Sequence, residues 1–90
     1  MEEGMRVRLP RHGEMFGTIE EKLGASRFKI ACKDGITRIC RIPGRFRKMF
    51  KFKVGDIVII KPWDIEQDKG DIVFIYNRTQ VGWLRRKGYL

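Results

Sequence analysis

Residues 27–42 read RFKIACKDGITRICRI, two alternating runs joined by Lys33-Asp34-Gly35. In the first run Phe28, Ile30 and Cys32 alternate with Arg27, Lys29 and Ala31, the period of a half-buried strand. The Asp-Gly pair signals a hairpin, and its loop length decides which side chains meet. A two-residue Asp34-Gly35 turn sets Cys32 opposite Thr37 and Phe28 opposite Arg41. A three-residue loop with Gly35 left-handed sets Cys32 opposite Ile36 and Phe28 opposite Cys40. The second register gathers Ile36, Cys40 and Ile42 on the core side and turns Ile39 and Arg41 outward, so it is preferred. It leaves Arg38 on the inner side, which a guanidinium tolerates only near a barrel end or at a bulge.

Outward from this hairpin the strand signals continue. Residues 14–23 (EMFGTIEEKL) form the preceding strand, with Gly17 marking a bulge or sharp bend. Pro43-Gly44 ends the third strand. Phe46, Met49 and Phe50 are spaced i, i+3, i+4, which predicts a short helical turn over 45–52 plugging one barrel end. A Val54-Gly55-Asp56 turn leads into the apolar run 57–60, buried on both sides, and Pro62 stops it. After a polar loop over 64–70, residues 71–76 form the fifth strand. From Thr79 onward, Val81, Trp83 and Leu84 suit a turn or two of helix packed on the barrel. Five short strands with a helical insert between the third and fourth predict an all-β protein. Its form is a five-stranded oligonucleotide-binding (OB-fold) Greek-key barrel with a short C-terminal helix. An SH3-like barrel matches the strand count but lacks the insert. The expected divisions are a basic tail over 1–12, the barrel over 13–76 and a helical extension over 77–90.

Charge supplies the functional signal. Ninety residues carry 20 Lys+Arg against 11 Asp+Glu, a formal charge of +9. Residues 36–55 hold seven of those cations and no carboxylate: Arg38, Arg41, Arg45, Arg47, Lys48, Lys51 and Lys53. Hydrophobic residues alternate with them, which places the charge on a folded surface. Such a block attracts polyanions, and RNA or DNA is the expected partner. Four of the seven are arginines, whose planar forks suit a structured phosphate backbone. Phe16, Phe28 and Phe74 lie in alternating strands and are expected in the core. Trp63, beside Pro62, is the aromatic best placed for exposure. Folded RNA shape is therefore a better match than a loose strand. Arg6, Arg8 and Arg11 ahead of the barrel, and Arg85, Arg86 and Lys87 behind it, add further basic segments.

Other chemistries find little support. His12 is the single histidine, and no serine or cysteine has a base positioned by sequence, so no enzyme is expected. Cys32 and Cys40 form no CxxC pair, so no metal or cofactor is expected and two reduced, buried thiols are. Asp64, Glu66, Asp68 and Asp71 crowd one loop but lack the spacing of a calcium loop. No apolar run approaches the ~20 residues that span a bilayer, and neither a membrane span nor a signal segment is read; a cytoplasmic monomer is expected.

RVRLPRHGE (6–14), GTIEEKLG (17–24), TRICRIPGRFRK (37–48), VGDIVIIKPWDI (54–65) and TQVGWLRRKGYL (79–90) together carry a resemblance. Over nearly its whole length the chain resembles the archaeal translation initiation factor 1A family, a group with an S1-like OB-fold. Eukaryotic initiation factor 1A and the bacterial first initiation factor are relatives. The resemblance implies docking in the A-site of the small ribosomal subunit through rRNA, assisting placement of initiator tRNA and mRNA. Other initiation factors, including the 5B-type GTPase, are implied as further partners. Contacts are implied for Arg41, Arg45, Arg47 and Lys48, with Lys51 and Lys53 nearby. Lys51 stands where many relatives carry tryptophan, so that ring's contact does not transfer. The acidic C-terminal extension of eukaryotic members has no counterpart in the match. The full set of expected RNA contacts is Arg38, Arg41, Arg45, Arg47, Lys48, Lys51, Lys53, Trp63, Arg6, Arg8 and Arg11. The alternative reading is a general single-stranded RNA chaperone of cold-shock type.

Overall fold

The hairpin that sets the register closes through the three-residue loop. In the computed structural model, which describes residues 7–44 and 51–90, β2 (Arg27–Cys32) pairs antiparallel with β3 (Thr37–Arg41). Phe28 stands opposite Cys40, and the Cys32 N–H donates to the Ile36 carbonyl at 3.1 Å. Gly35 takes φ +88°, a left-handed conformation that glycine adopts without steric cost. Arg38 lies at the barrel end and is 2% exposed. Ile36 is 43% exposed, contrary to its expected place in the core. Along β3 the buried positions stop at Arg38, so Ile36, one pleat further, lies outside the core.

The remaining strands are β1 (Met15–Gly24), β4 (Ile57–Pro62) and β5 (Lys69–Ile75). They close a barrel in the order β1-β2-β3-β5-β4, with β3 and β5 parallel and the other pairs antiparallel. This is the Greek-key order of an OB-fold. β1 pairs with β2 on one side and β4 on the other, and its register shifts fall beyond Ile19 instead of at Gly17. Gly17 answers a different need: a Cβ there would stand 2.5 Å from the Ile30 methyl Cγ2. The helical turn expected over 45–52 falls largely on residues outside those described.

Two apolar clusters explain why β4 is buried on both sides. Val58 and Ile60 point into the barrel with Ile19, Ile30, Cys40 and Ile72. Ile57 and Ile59 point outward into a second cluster with Phe16, Tyr76 and Leu84, flanked by Val7, Leu9, Val81 and Trp83. Leu84 belongs to α1 (Arg78–Arg86). Asn77 caps that helix: its side chain accepts from the Gln80 N–H at 2.8 Å, and the Gln80 side chain accepts from the Asn77 N–H at 2.9 Å. The helix is longer than the turn or two expected. The segment from Val7 is also docked, since the Tyr76 hydroxyl donates to the Arg8 carbonyl. Burial pushes the Tyr76 phenol up to about 12. No helix among the described residues is long and apolar enough to cross a membrane.

Candidate nucleic-acid interface

The strand pairings build a basic surface from residues far apart in sequence. Arg27 on β2 stands opposite Arg41 on β3, Arg41 beside Asp71 on β5, and Asp71 opposite Lys61 on β4. Side chains at paired positions share a face, so these four form one row across four strands. The next row runs from Lys29 through Ile39 to Lys69, whose carbonyl accepts from the Trp63 N–H. Arg27, Lys29, Arg41 and Lys61 are exposed, and among the described residues no helix covers them. Lys69 has Glu66 at 3.7 Å. This is the outer face of the strands that OB-folds use for oligonucleotides.

Within the first row Arg41 has two partners. Its Nε donates to Asp71 Oδ1 at 3.0 Å, and its guanidinium carbon lies 5.1 Å from the Trp63 ring centre. Cation–ring contact of this kind favours a flat guanidinium. Trp63 is half-buried, its carbonyl accepting from the Gln67 amide at 3.3 Å.

Arg38 leaves the expected set. Its two terminal nitrogens donate to Asp34 at 3.0 and 2.9 Å, and its Nε donates to the Gln67 carbonyl at 2.7 Å. The pair holds the Asp34 carboxyl below the usual range and pushes the Arg38 guanidinium up. The residue ties the β2–β3 loop to the β4–β5 loop and presents nothing to an external phosphate. Arg8 is likewise turned inward: it meets Glu14 at 3.1 Å and lies 5.9 Å from the Phe74 ring centre. Burial works to raise the Glu14 carboxyl, but the Arg11 N–H and the Arg8 guanidinium outweigh it and hold the group low.

The other expected residues separate. Arg11 is exposed. Lys51 and Lys53 line a cleft of about 680 Å³ between the 51–56 segment and α1, where Arg78 and Arg85 join them. Lys53 is paired loosely with Asp56 at 3.7 Å. This cleft and the Arg41 row lie toward opposite ends of β4, so among the described residues Lys51 and Lys53 do not share a patch with Arg41. Arg6, Arg45, Arg47 and Lys48 lie outside the described residues. Sequence reading missed Arg27, Lys29, Lys61 and Lys69. Their outward alternation was visible, but their assembly depends on pairing among four strands.

Metal chemistry gains no group of three or more ligating side chains among the described residues. Cys32 and Cys40 are free and buried; burial raises both thiols, Cys40 to about 12. They serve as core atoms.

Comparison with known proteins gives the arrangement a lineage. A family model described as translation initiation factor 1A / IF-1 matches residues 5–90. Translation initiation factor 1A of Archaeoglobus fulgidus is 49% identical over 88 residues, covering 96% of this chain and 91% of that protein. The Methanopyrus kandleri factor is 46% identical over 85 residues, covering 94% and 77%. The solution structure of the bacterial first translation initiation factor, from a Wolbachia endosymbiont of Brugia malayi, superposes with TM-score 0.55 at 25% identity. It covers 73% of this chain and 79% of that one. With matches over nearly its whole length, the chain belongs to the translation initiation factor 1A / IF-1 family, and its role lies in the initiation of protein synthesis.

Proposed function

We propose that the protein is a non-enzymatic, cytoplasmic factor that binds the A-site of the small ribosomal subunit through structured rRNA. There it assists placement of initiator tRNA and mRNA, alongside other initiation factors including the 5B-type GTPase. The observation carrying this reading is the cross-strand row Arg27–Arg41–Asp71–Lys61 with Lys29 and Lys69 beside it. A rigid sheet holds these cations at fixed spacing, which suits a folded phosphate backbone better than a flexible strand. Arg45, Arg47 and Lys48, next along the chain from β3, would extend the contact. Phe16 and Phe28 are buried, so Trp63 has no neighbouring exposed phenylalanine from them to form the multi-ring platform of a cold-shock chaperone.

Sedimentation with purified small subunits across a salt series tests this. Neutralising about five phosphates predicts a log–log salt slope of roughly −3.5 to −4.5. Short unstructured RNA should bind far more weakly than subunits, and an A-site ligand should compete. Equal affinity for unstructured RNA and subunits would instead favour the chaperone. Replacing Arg45, Arg47 and Lys48 together with alanine should weaken subunit binding while the thermal transition stays in place. Undiminished binding in that variant removes the segment from the site.

A further inference from the structure

Asp71 is a carboxylate set in the middle of a cationic row, with Arg41 on one side and Lys61 on the other. We infer that it is a positioning residue that holds Arg41 flat over Trp63, so that the arginine's two terminal nitrogens grip one phosphodiester as a fork. This rests on the reading that the open sheet face binds RNA, and it goes further by assigning a role to the acid within it.

The geometry separates the atoms of Arg41 by task. Nε donates to Asp71 Oδ1 at 3.0 Å, and the guanidinium carbon lies over the Trp63 ring, 5.1 Å from its centre. The two terminal nitrogens have no hydrogen bond among the described residues. Those two N–H edges are the ones that pair with two oxygens of a phosphate. An arginine 62% exposed would otherwise sample many rotamers, and binding would have to freeze them. Here the freezing is done in the free protein by a carboxylate on the next strand. Asp71 itself is fixed by pairing on both of its edges, to β3 and to β4.

A second role for Asp71 is easily imagined: it relieves repulsion among Arg27, Arg41 and Lys61 without shaping anything. The two accounts predict opposite signs. Asp71→Asn takes the formal charge from +9 to +10. Simple electrostatics then requires tighter binding to RNA, whereas loss of the positioned fork requires weaker binding. Ordering one long side chain on binding weakens affinity by a factor of roughly 2 to 12.

The experiment uses the full chain and purified small subunits. Subunit affinity is measured across a salt series for wild type, Asp71→Asn, Asp71→Glu, Arg41→Ala and the Arg41→Ala/Asp71→Asn pair. Asp71→Asn should bind roughly 2- to 12-fold more weakly despite its added charge. Asp71→Glu should recover part of the loss, and Asp71→Asn should add little to Arg41→Ala. In a Trp83→Phe background the remaining tryptophan is Trp63, and its emission in the free protein should shift on Asp71→Asn as the guanidinium leaves the ring. If Asp71→Asn binds as well as wild type or better while Arg41→Ala weakens binding, the positioning role is overturned and the binding face survives. If Arg41→Ala also binds like wild type, Arg41 makes no contact and both the inference and this face as the site fall.

Discussion

The outside of the barrel has two unlike sides, although the same in–out alternation of strands builds both. Over β4 and the start of β1, outward positions are Ile57, Ile59 and Phe16, roofed by α1 and the segment from Val7. Over β2, β3 and the start of β5, outward positions are Arg27, Lys29, Arg41 and Lys69, with no roof among the described residues. A strand alternates regardless; what changes is whether another element covers its outer face. The covered side supplies stability through buried area. The open side contributes little to stability, leaving its residues free for recognition.

The sharpest way to break this contrast is to cut one side chain from each side. Leu84 is fully buried where α1 meets the barrel. Leu84→Ala should cost about 2–5 kcal/mol by cavity formation and lower the urea midpoint accordingly. Lys61→Ala, on the open side, should change stability by less than about 0.5 kcal/mol yet reduce the magnitude of the salt slope for subunit binding by about 0.7–0.9. A Leu84→Ala protein with an unchanged midpoint would mean that the roof is not part of the stable fold.

Between the two effects lies the closure of the barrel end. Asp34→Asn removes the negative charge and one of the two acceptor oxygens facing buried Arg38, and should cost about 2 kcal/mol at neutral pH. The pH dependence has a fixed sign. Hydrogen bonding to Arg38 holds the Asp34 carboxyl below its ordinary value of 3.8. Its contribution is therefore whole above that value and drains away as pH falls through the lower folded-state value. Chemical denaturation from pH 6 down to about pH 2 should show a smaller acid loss in Asp34→Asn than in wild type. Parallel curves would mean that the carboxylate does not stabilise this end.

How much of this was legible differs between the two sides. The covered side announced itself locally, because Ile57 to Ile60 is apolar at both parities and needs cover on both faces. The β2–β3 register was also legible, since only a left-handed Gly35 brings Phe28 opposite Cys40. Ile36 misled because alternation says which way a residue points and not where the barrel ends. Arg38 looked like an external contact for a related reason: its partners, Asp34 and the Gln67 carbonyl, lie in two loops that meet only in the fold. The open side was half legible. Arg41 stood out inside a dense charge run, while Arg27, Lys61 and Lys69 join it only through pairings among four strands.

The smallest expected effect is at the turn leading from β1 to β2. Ala25 and Ser26 take φ of +51° and +59°, a region where a side chain crowds the backbone. The Ser26 carbonyl accepts from the Ile42 N–H at 3.2 Å, so the bent turn is tied to the end of β3. Ser26→Gly relieves the crowding and keeps that carbonyl, but it loosens the unfolded chain, and the two effects oppose each other. Because φ is positive, relief should win, raising stability by about 0.5 kcal/mol with subunit affinity unchanged. A stabilised variant that binds more weakly would show that this turn, and not only the row beginning at Arg27, touches RNA. The boundary of the open side would then move one residue toward β1.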